Sequence, residues 1–493
     1  MNIMSPPGSD SAPLALDPFQ ISKPDEEASR LQMALEGQRA AYMADMAPSL
    51  AVRLERLARL KAMLRKHEAN IIAAINDDFS GRARQQTQLA DLMMVMQAIT
   101  LAAKRLKTWM KTQTVKTQFN YRPGSNKIMR QPLGVIGIVS PWNYPLNLAL
   151  SPAVGALAAG NRVMLKPSEF TPKFSALLQK IVAETFPPEE FLVMTGGAEV
   201  GRAFVELPFD HLVFTGSTAV GREVAMAAAR NLTPLTLELG GKSPAVIDAS
   251  AVITTTARAI AHGKLFNGGQ TCIAPDYVLV PEQHEEAFVQ AFKAAAARQY
   301  PRFADNADYT AIISDAHLAR LDALVADAAA KGAKVIRLAN EPRAETSRRF
   351  APVIILNTTD DMRVMREEIF GPILPVVRYG TMPDAIAKIN AKDRPLSLYW
   401  FGTDTASRDQ LLRNTVAGGV TINDCMMHFA QENAPFGGVG PSGQGAYHGE
   451  WGFLTFTKQT QVYYQSSRSL MPLLYPPYGR TFALLWAWMR RTT

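Results

Sequence analysis

Cysteine is nearly absent: Cys272 and Cys425 are the two thiols in 493 residues, which excludes a disulfide scaffold and leaves a chain suited to a reducing, cytoplasmic setting. With only seven scattered histidines, no Cys/His cluster has the spacing a zinc site needs, so no metal is expected. Long hydrophobic runs are also missing. The longest candidate, Thr481 to Met489, spans nine residues, about half of the roughly 20 required to cross a bilayer. The first 27 residues contain Pro6, Pro7, Pro13, Pro18 and Pro24 but no early cation and no apolar core, so they read as a loose tail and not as a secretory signal. The net charge is only +8, and its densest cluster, Lys104, Arg105, Lys107, Lys111 and Lys116, reads as a solvated helix face. No zinc-finger or RNP-type motif accompanies it, and no nucleic-acid partner is expected.

What is present describes an ordinary globular chain. The hydrophobic fraction is 47% and charged residues are 19%, and the length suggests about three structural units at roughly 150 residues each. Leu54, Leu57, Leu60, Leu64, Ile71, Ile72 and Ile75 recur at helical spacing, predicting one buried stripe. A second helix is predicted from about Gln86 to Lys111, and a short strand at Ile128 to Arg130. Compact apolar runs at Val135–Val139, Arg162–Leu165, Phe191–Met194 and His211–Phe214 then alternate with helical stretches, the pattern of a parallel α/β sheet. A second alternating block follows Gly240, with strands near Ala245–Ile247, Tyr277–Val280, Lys334–Leu338 and Ala351–Leu356. Gly418–Asn423 is strand-like, Ala434–Gly445 is a glycine-rich loop, and Leu454–Phe456 is expected to form a returning strand.

Two segments carry chemistry. In Phe266-Asn267-Gly268-Gly269-Gln270-Thr271-Cys272-Ile273-Ala274-Pro275, a thiol follows glycines that let backbone approach a ligand, which suits a nucleophile. Leu237-Glu238-Leu239-Gly240-Gly241-Lys242-Ser243-Pro244 sets a carboxylate in an apolar run, where burial would raise its pKa toward that of a general base. Taken alone, Glu238 could instead pair with Lys242 or a backbone amide.

Together these segments resemble the cysteine and glutamate signatures of the aldehyde dehydrogenase superfamily. Four further motifs match in order. Ser140-Pro141-Trp142-Asn143-Tyr144-Pro145 resembles the segment whose asparagine helps form an oxyanion hole. Lys166-Pro167-Ser168-Glu169 resembles the adenosine-ribose contact. Phe214-Thr215-Gly216-Ser217-Thr218-Ala219-Val220-Gly221 resembles the turn near the pyrophosphate, and Glu367-Glu368-Ile369-Phe370-Gly371-Pro372 the holder of the nicotinamide ribose. The likeness covers about Ala28 to Lys458, and Gln270–Tyr277, Pro435–Gly443 and Gly445–Gly449 are similar to the class-three branch.

The resemblance implies an α/β fold: a modified Rossmann cofactor domain over 28–240 with bridging strands in 116–132, a catalytic α/β domain over 241–425, a return segment and bridging strand over 426–460, and a tail over 461–493. It implies a homodimer that oxidises an aldehyde, coniferyl or another aromatic one, to the acid with NAD, NADP being the alternative cofactor. Cys272 is the implied nucleophile, Asn143 the oxyanion donor and Glu238 the base for thioester hydrolysis, with Glu368 a second candidate base. Lys166, Glu169, Gly216, Ser217, Gly221, Glu368 and Phe370 are the implied cofactor contacts. Glu169 would favour NAD by repelling a 2′-phosphate, and Lys166 would act in the opposite sense. Three competing readings are a medium- or long-chain aliphatic substrate, a cofactor-independent cysteine hydrolase, and a membrane-surface tail around Trp486 and Trp488, for which packing on a partner subunit is the favoured alternative. His262, ten residues before Cys272, is expected to be a helix-borne neighbour without catalytic contact, and His428, near Cys425, to have a structural or substrate-entrance role.

Overall fold

The structure, a computed structural model, describes residues 24–339 and 347–492. A helix begins at Pro24, inside the segment expected to be a loose tail, and runs to Ala44; the rest of that segment, residues 1–23, lies outside the described residues. The first striped segment forms a helix over Leu50–Phe79, with Ser49 Oγ accepting from the Val52 N–H and Ser80 closing it in the left-handed region at φ +56°. Its buried face includes Leu57, Leu60, Leu64, Ile71, Ile72 and Ile75, as the periodicity requires. The second helix is nearly continuous from Arg84 to Trp109, interrupted by a π turn at Gln88–Leu92.

Three sheets follow. β1 (Gln113–Val115) and β2 (Ser125–Pro132) pair antiparallel, so the short strand expected at Ile128–Arg130 is the middle of a longer one. The first α/β sheet contains β3 (Val135–Val139), β4 (Arg162–Lys166), β5 (Phe191–Val193), β6 (His211–Thr215) and β7 (Leu235–Glu238). The second contains β8 (Pro244–Ile247), β9 (Tyr277–Pro281), β10 (Lys334–Arg337), β11 (Val353–Leu356), β12 (Ile373–Tyr379), β13 (Ser397–Phe401) and β14 (Gly419–Ile422). β15 (Gly443–Gln444) returns to the first sheet, and β16 (Thr457–Tyr464) joins β1 and β2.

The first sheet has the order β15-β7-β6-β3-β4-β5, parallel except at the β15 edge. The second has the order β10-β11-β12-β9-β8-β13-β14, parallel except at the β10 edge. Strands such as Arg162–Lys166 and Tyr277–Pro281 are buried at every position, which is why they read as continuous apolar runs and not as alternating ones. The helices of the N-terminal region and Asn147–Ala159 pack together over the first sheet in a single core that includes Leu57, Ile99, Leu157, Ile138 and Val163.

The ending departs from expectation. Leu454–Phe456 is not a strand: Leu454 and Thr455 end a helix over Gly449–Thr455, and the returning strand starts at Thr457. A three-residue apolar run carries no period, and its burial against the helical layer, with Phe456 fully buried, looks the same in either conformation. β16 also extends past 460, into the span expected to be tail. A helix follows over Arg480–Thr492. Among the described residues, no helix is long and apolar enough to cross a membrane.

Candidate functional site

The first sheet delivers four of the expected residues to one edge. Asn143 follows β3, Lys166 ends β4, Gly216 follows β6 and Glu238 ends β7. Because these strands are parallel neighbours in the order β7-β6-β3-β4, their carboxyl ends open onto a common crevice, the usual place for a ligand in a doubly wound sheet.

The thiol arrives from the second domain. After the helix Ile253–Leu265 the chain turns through Asn267, Gly268 and Gly269 at φ +54°, +62° and +76°. Gly269 is needed for contact as well as conformation: a Cβ there would lie 2.5 Å from the backbone carbonyl of Gly371. The turn is then fastened to the first domain. Asn267 Nδ2 donates to the Asn143 carbonyl at 3.0 Å, and Asn143 Nδ2 donates to the Gln270 carbonyl at 3.2 Å. Gln86 Oε1 accepts from the Asn267 N–H at 3.2 Å and from Thr310 Oγ1 at 2.7 Å. The Gln270 side chain donates to the Asn267 and Ala311 carbonyls and accepts from the Ile313 N–H, and the Tyr144 hydroxyl meets Thr271 Oγ1 at 2.6 Å. This buried network fixes the turn that carries Cys272, with Asn267 Oδ1 left unpartnered.

Cys272 is half-buried and packs, as does Phe429, against the cluster of Ile273, Leu396, Phe436 and Tyr447. Burial pushes its thiol well above the ordinary range, and the charges of Glu368 and Glu238 push it further, while the N–H groups of Cys272 and Ile273 favour the thiolate. Glu238 is buried, neither carboxylate oxygen has a hydrogen-bond partner, and burial raises its pKa well above the ordinary value. The sequence alternative, a pair with Lys242, is overturned: Lys242 Nζ bonds to Asp276 and to the carbonyls of Val364 and Glu367 at 2.7 and 3.0 Å. Asp276 also accepts from the Ile369 N–H at 2.9 Å, so the Lys242–Asp276 pair anchors the loop carrying Glu368 and Phe370.

Glu368 accepts from the Gly241 N–H, and burial first, then the charge of Asp276, push its carboxyl up to about 8. Its carboxylate lies directly over Gly240, where a Cβ would come within 1.9 Å of Oε2. Phe370 sits at φ +51° with its ring 5.4 Å from that of Trp142.

The remaining expected cofactor contacts lie on the first-domain side. Lys166 is buried and its Nζ meets Glu169 Oε2 at 2.7 Å. Burial would raise the pKa of Glu169, but the hydrogen bond and charge of Lys166 bring it below the ordinary value. Thus the two residues expected to act in opposite senses form one ion pair. Gly216 donates its N–H to the Glu238 carbonyl at 3.0 Å. Ser217 caps the helix Thr218–Arg230. Gly221 packs on Leu239, whose side chain a Cβ would meet at 2.6 Å. A paired Lys166–Glu169, a glycine turn at a capped helix start and a carboxylate over Gly240 form a polar, backbone-lined crevice that fits a dinucleotide.

Sequence reasoning missed three supports of this site. The Arg82–Asp91 pair lies behind Asn143, Gln86 lies under the thiol turn, and the fully buried Lys264 faces Asp276, Lys242 and Glu368, its ammonium pushed down to about 8 by burial. No spacing signal could have linked Gln86 to Thr310. The histidines near the thiols are otherwise engaged. His262 packs against Phe266 with the rings tilted, and His428 bonds to Ser397 and Thr421, one at each ring nitrogen.

The family model described as the aldehyde dehydrogenase family matches residues 20–462. A probable coniferyl aldehyde dehydrogenase of Pseudomonas aeruginosa is 46% identical over 96% of this chain and 98% of its own length. A coniferyl aldehyde dehydrogenase of a Pseudomonas species is 44% identical over 89% and 92%. Among solved structures, the substrate-bound AldH of Staphylococcus aureus superposes with a TM-score of 0.89 at 34% identity, covering 93% of this chain and 99% of that one. An NAD-dependent aldehyde dehydrogenase from Sinorhizobium meliloti superposes at 0.81 with 28% identity, covering 90% and 88%.

Proposed function

The chain belongs to the aldehyde dehydrogenase family, and from that premise we propose that it oxidises an aromatic aldehyde of the coniferyl type to the carboxylic acid, using NAD in preference to NADP. The observation that carries this reading is the buried, unpartnered carboxylate of Glu238 acting electrostatically on Cys272. Such a pair is costly to bury and serves a proton-accepting role beside a thiol.

Cys272 gives its thiol proton to Glu238 as its Sγ attacks the aldehyde carbon to form a thiohemiacetal oxyanion. The oxyanion is stabilised by the Asn143 side-chain amide and the Cys272 N–H, each such donor lowering the barrier by about 3 kcal/mol. Asn143 is suited to this because its Nδ2 is already oriented by the Gln270 carbonyl. A bound dinucleotide would supply the acceptor for the hydride that this carbon must lose to become a thioester. Lys166, Glu169, Gly216, Ser217 and Gly221 would hold its adenosine and pyrophosphate portion, and Glu368 and Phe370 its nicotinamide ribose. Once it has passed the thiol's proton outward, Glu238 takes a proton from the water that attacks the thioester; the C–S bond then breaks, the acid leaves and the departing thiolate recovers that proton from Glu238.

The aromatic preference is supported by the names of the relatives above and by Phe429, Phe436 and Tyr447 packed around Cys272. A homodimer is proposed on the sheet β1-β2-β16, which leaves Met129, Tyr463 and Tyr464 exposed. A cysteine hydrolase is disfavoured because His262 and His428, the histidines near the thiols in sequence, are bonded or packed elsewhere. Comparing kcat/KM for coniferyl aldehyde and decanal tests the substrate class. Preference for coniferyl aldehyde is expected, and a preference for decanal of about tenfold or more, some 1.4 kcal/mol of transition-state binding, would overturn it.

A further inference from the structure

Aldehyde oxidation with water releases two protons for each hydride transferred, one from the attacking thiol and one from the nascent acid. The thiol's proton passes to the buried Glu238, which must hand it outward before it can take a proton from the hydrolytic water; the acid's own proton leaves with the product. The structure places several buried polar atoms without partners next to this point: both oxygens of Glu238, the Tyr447 hydroxyl, both ring nitrogens of His448 and Glu432 Oε1. Their residues are 3%, 2%, 4% and 7% exposed, respectively, and unpartnered polar groups at that depth call for bridging water or a direct role.

These groups are linked in space. Tyr447 packs in the cluster that includes Cys272, and its hydroxyl is influenced electrostatically by Glu238, Cys272 and Glu432. Tyr447, His448 and Glu432 all border one small cavity, whose other wall includes Ser151, Gly155 and Trp109. Its volume of about 10 Å³ is room for roughly one water and too little for a substrate ring. Glu432 accepts from the Gly449 N–H and stands between the exposed residues Gln431 and Asn433, so it forms the outer end of the series. His448 is held at φ +104° by its neighbours, with its ring stacked 5.3 Å from Phe436. Arg130, which donates to the carbonyl of the cavity-lining Trp109, pairs with Glu450 at 3.4 Å.

We propose that Tyr447, a water in this cavity and Glu432 form a proton relay that carries protons from Glu238 to the surface. No bond other than O–H is made or broken along it. Each group accepts one proton from the inner side and gives one to the outer side, and bulk water is the final acceptor. Burial pushes the Glu432 carboxyl up to about 7, where it can both take and release a proton near neutral pH. The proposal rests on the reading of Glu238 as the base.

The test uses full-length Tyr447→Phe, Glu432→Gln and Glu432→Asp, with NADH and proton release followed together by stopped flow using a pH-indicator dye. The relay predicts that the first NADH turnover is preserved while proton release and steady-state kcat in Tyr447→Phe and Glu432→Gln fall by about fivefold or more. It also predicts a larger solvent isotope effect on kcat in those variants and recovery in Glu432→Asp. Wild-type proton release, kcat and isotope effect in both variants would overturn the relay, as would a loss confined to KM or melting temperature. Absence of aldehyde oxidation by the wild-type chain would instead reject the functional reading itself.

Discussion

The Arg82 guanidinium meets the Asp91 carboxylate at 2.7 Å with both side chains sealed from water. The pair is a brace for the oxyanion side of the site. Arg82 Nη1 donates to the Asn143 carbonyl at 2.9 Å, and Asp91 Oδ1 accepts from the N–H groups of Leu146 and Asn147 at 3.2 and 3.1 Å. Removing one partner leaves a buried charge uncompensated. Arg82→Met is therefore expected to cost about 3–5 kcal/mol in denaturant unfolding and to lower kcat through Asn143. A loss under about 1 kcal/mol would show that the pair bears little strain on removal and is not a brace.

Nucleotide choice should depend on the Lys166–Glu169 pair. A 2′-phosphate would meet the Glu169 carboxylate, which Lys166 keeps ionised against the effect of burial. Glu169→Gln removes that repulsion and leaves Lys166 free to bind the phosphate. The ratio of kcat/KM for NADP to that for NAD should rise by about tenfold. An unchanged ratio in steady-state assays with both nucleotides would place discrimination elsewhere.

The raised carboxyl of Glu368 has a consequence for stability. Its ordinary pKa is 4.5 and burial pushes it up to about 8, so the folded chain binds a proton that the unfolded chain has released between these values. Stability from this group is complete below about 4.5 and is lost as pH rises through 8. Glu368→Gln cannot ionise, and its melting temperature relative to wild type should therefore be more favourable at pH 8.5 than at pH 5. An equal difference at the two pH values in thermal scans would contradict the assignment.

The thiol should be sluggish without cofactor. Burial and the nearby Glu368 and Glu238 push Cys272 upward, and Cys425 is fully buried, so iodoacetamide at pH 7 should label the native chain far more slowly than a free thiol. Labelling of Cys272 at the rate of an unfolded control, followed by peptide mass analysis, would contradict this environment.

Much of this arrangement was legible in the sequence, and the part that was not has a physical reason. Val135–Val139 and His211–Phe214 read correctly as buried parallel strands because both faces are covered, and the motifs around Glu238 and Cys272 are local in sequence. Glu238 lies at the end of β7 and Cys272 just beyond a left-handed turn, where glycines mark the geometry. The supports were hidden because they are distant in sequence: Gln86 and Thr310 are 224 positions apart, and Asn143 and Asn267 are 124. Leu454–Phe456 was misread because three apolar residues have no period, and β12 and β13 went unnamed among the apolar segments of the second domain. In β12 the sheet includes Pro375, a residue that weakens any strand assignment made from sequence.

The most direct measurement is intact-mass analysis of Glu238→Gln mixed with aldehyde and NAD. If Cys272 carries the acyl group and Glu238 activates the water that removes it, the variant should accumulate protein heavier by one acyl unit, mapped to Cys272 and absent from Cys272→Ala. Rapid turnover by Glu238→Gln with no adduct on that sulfur at any time would contradict the account.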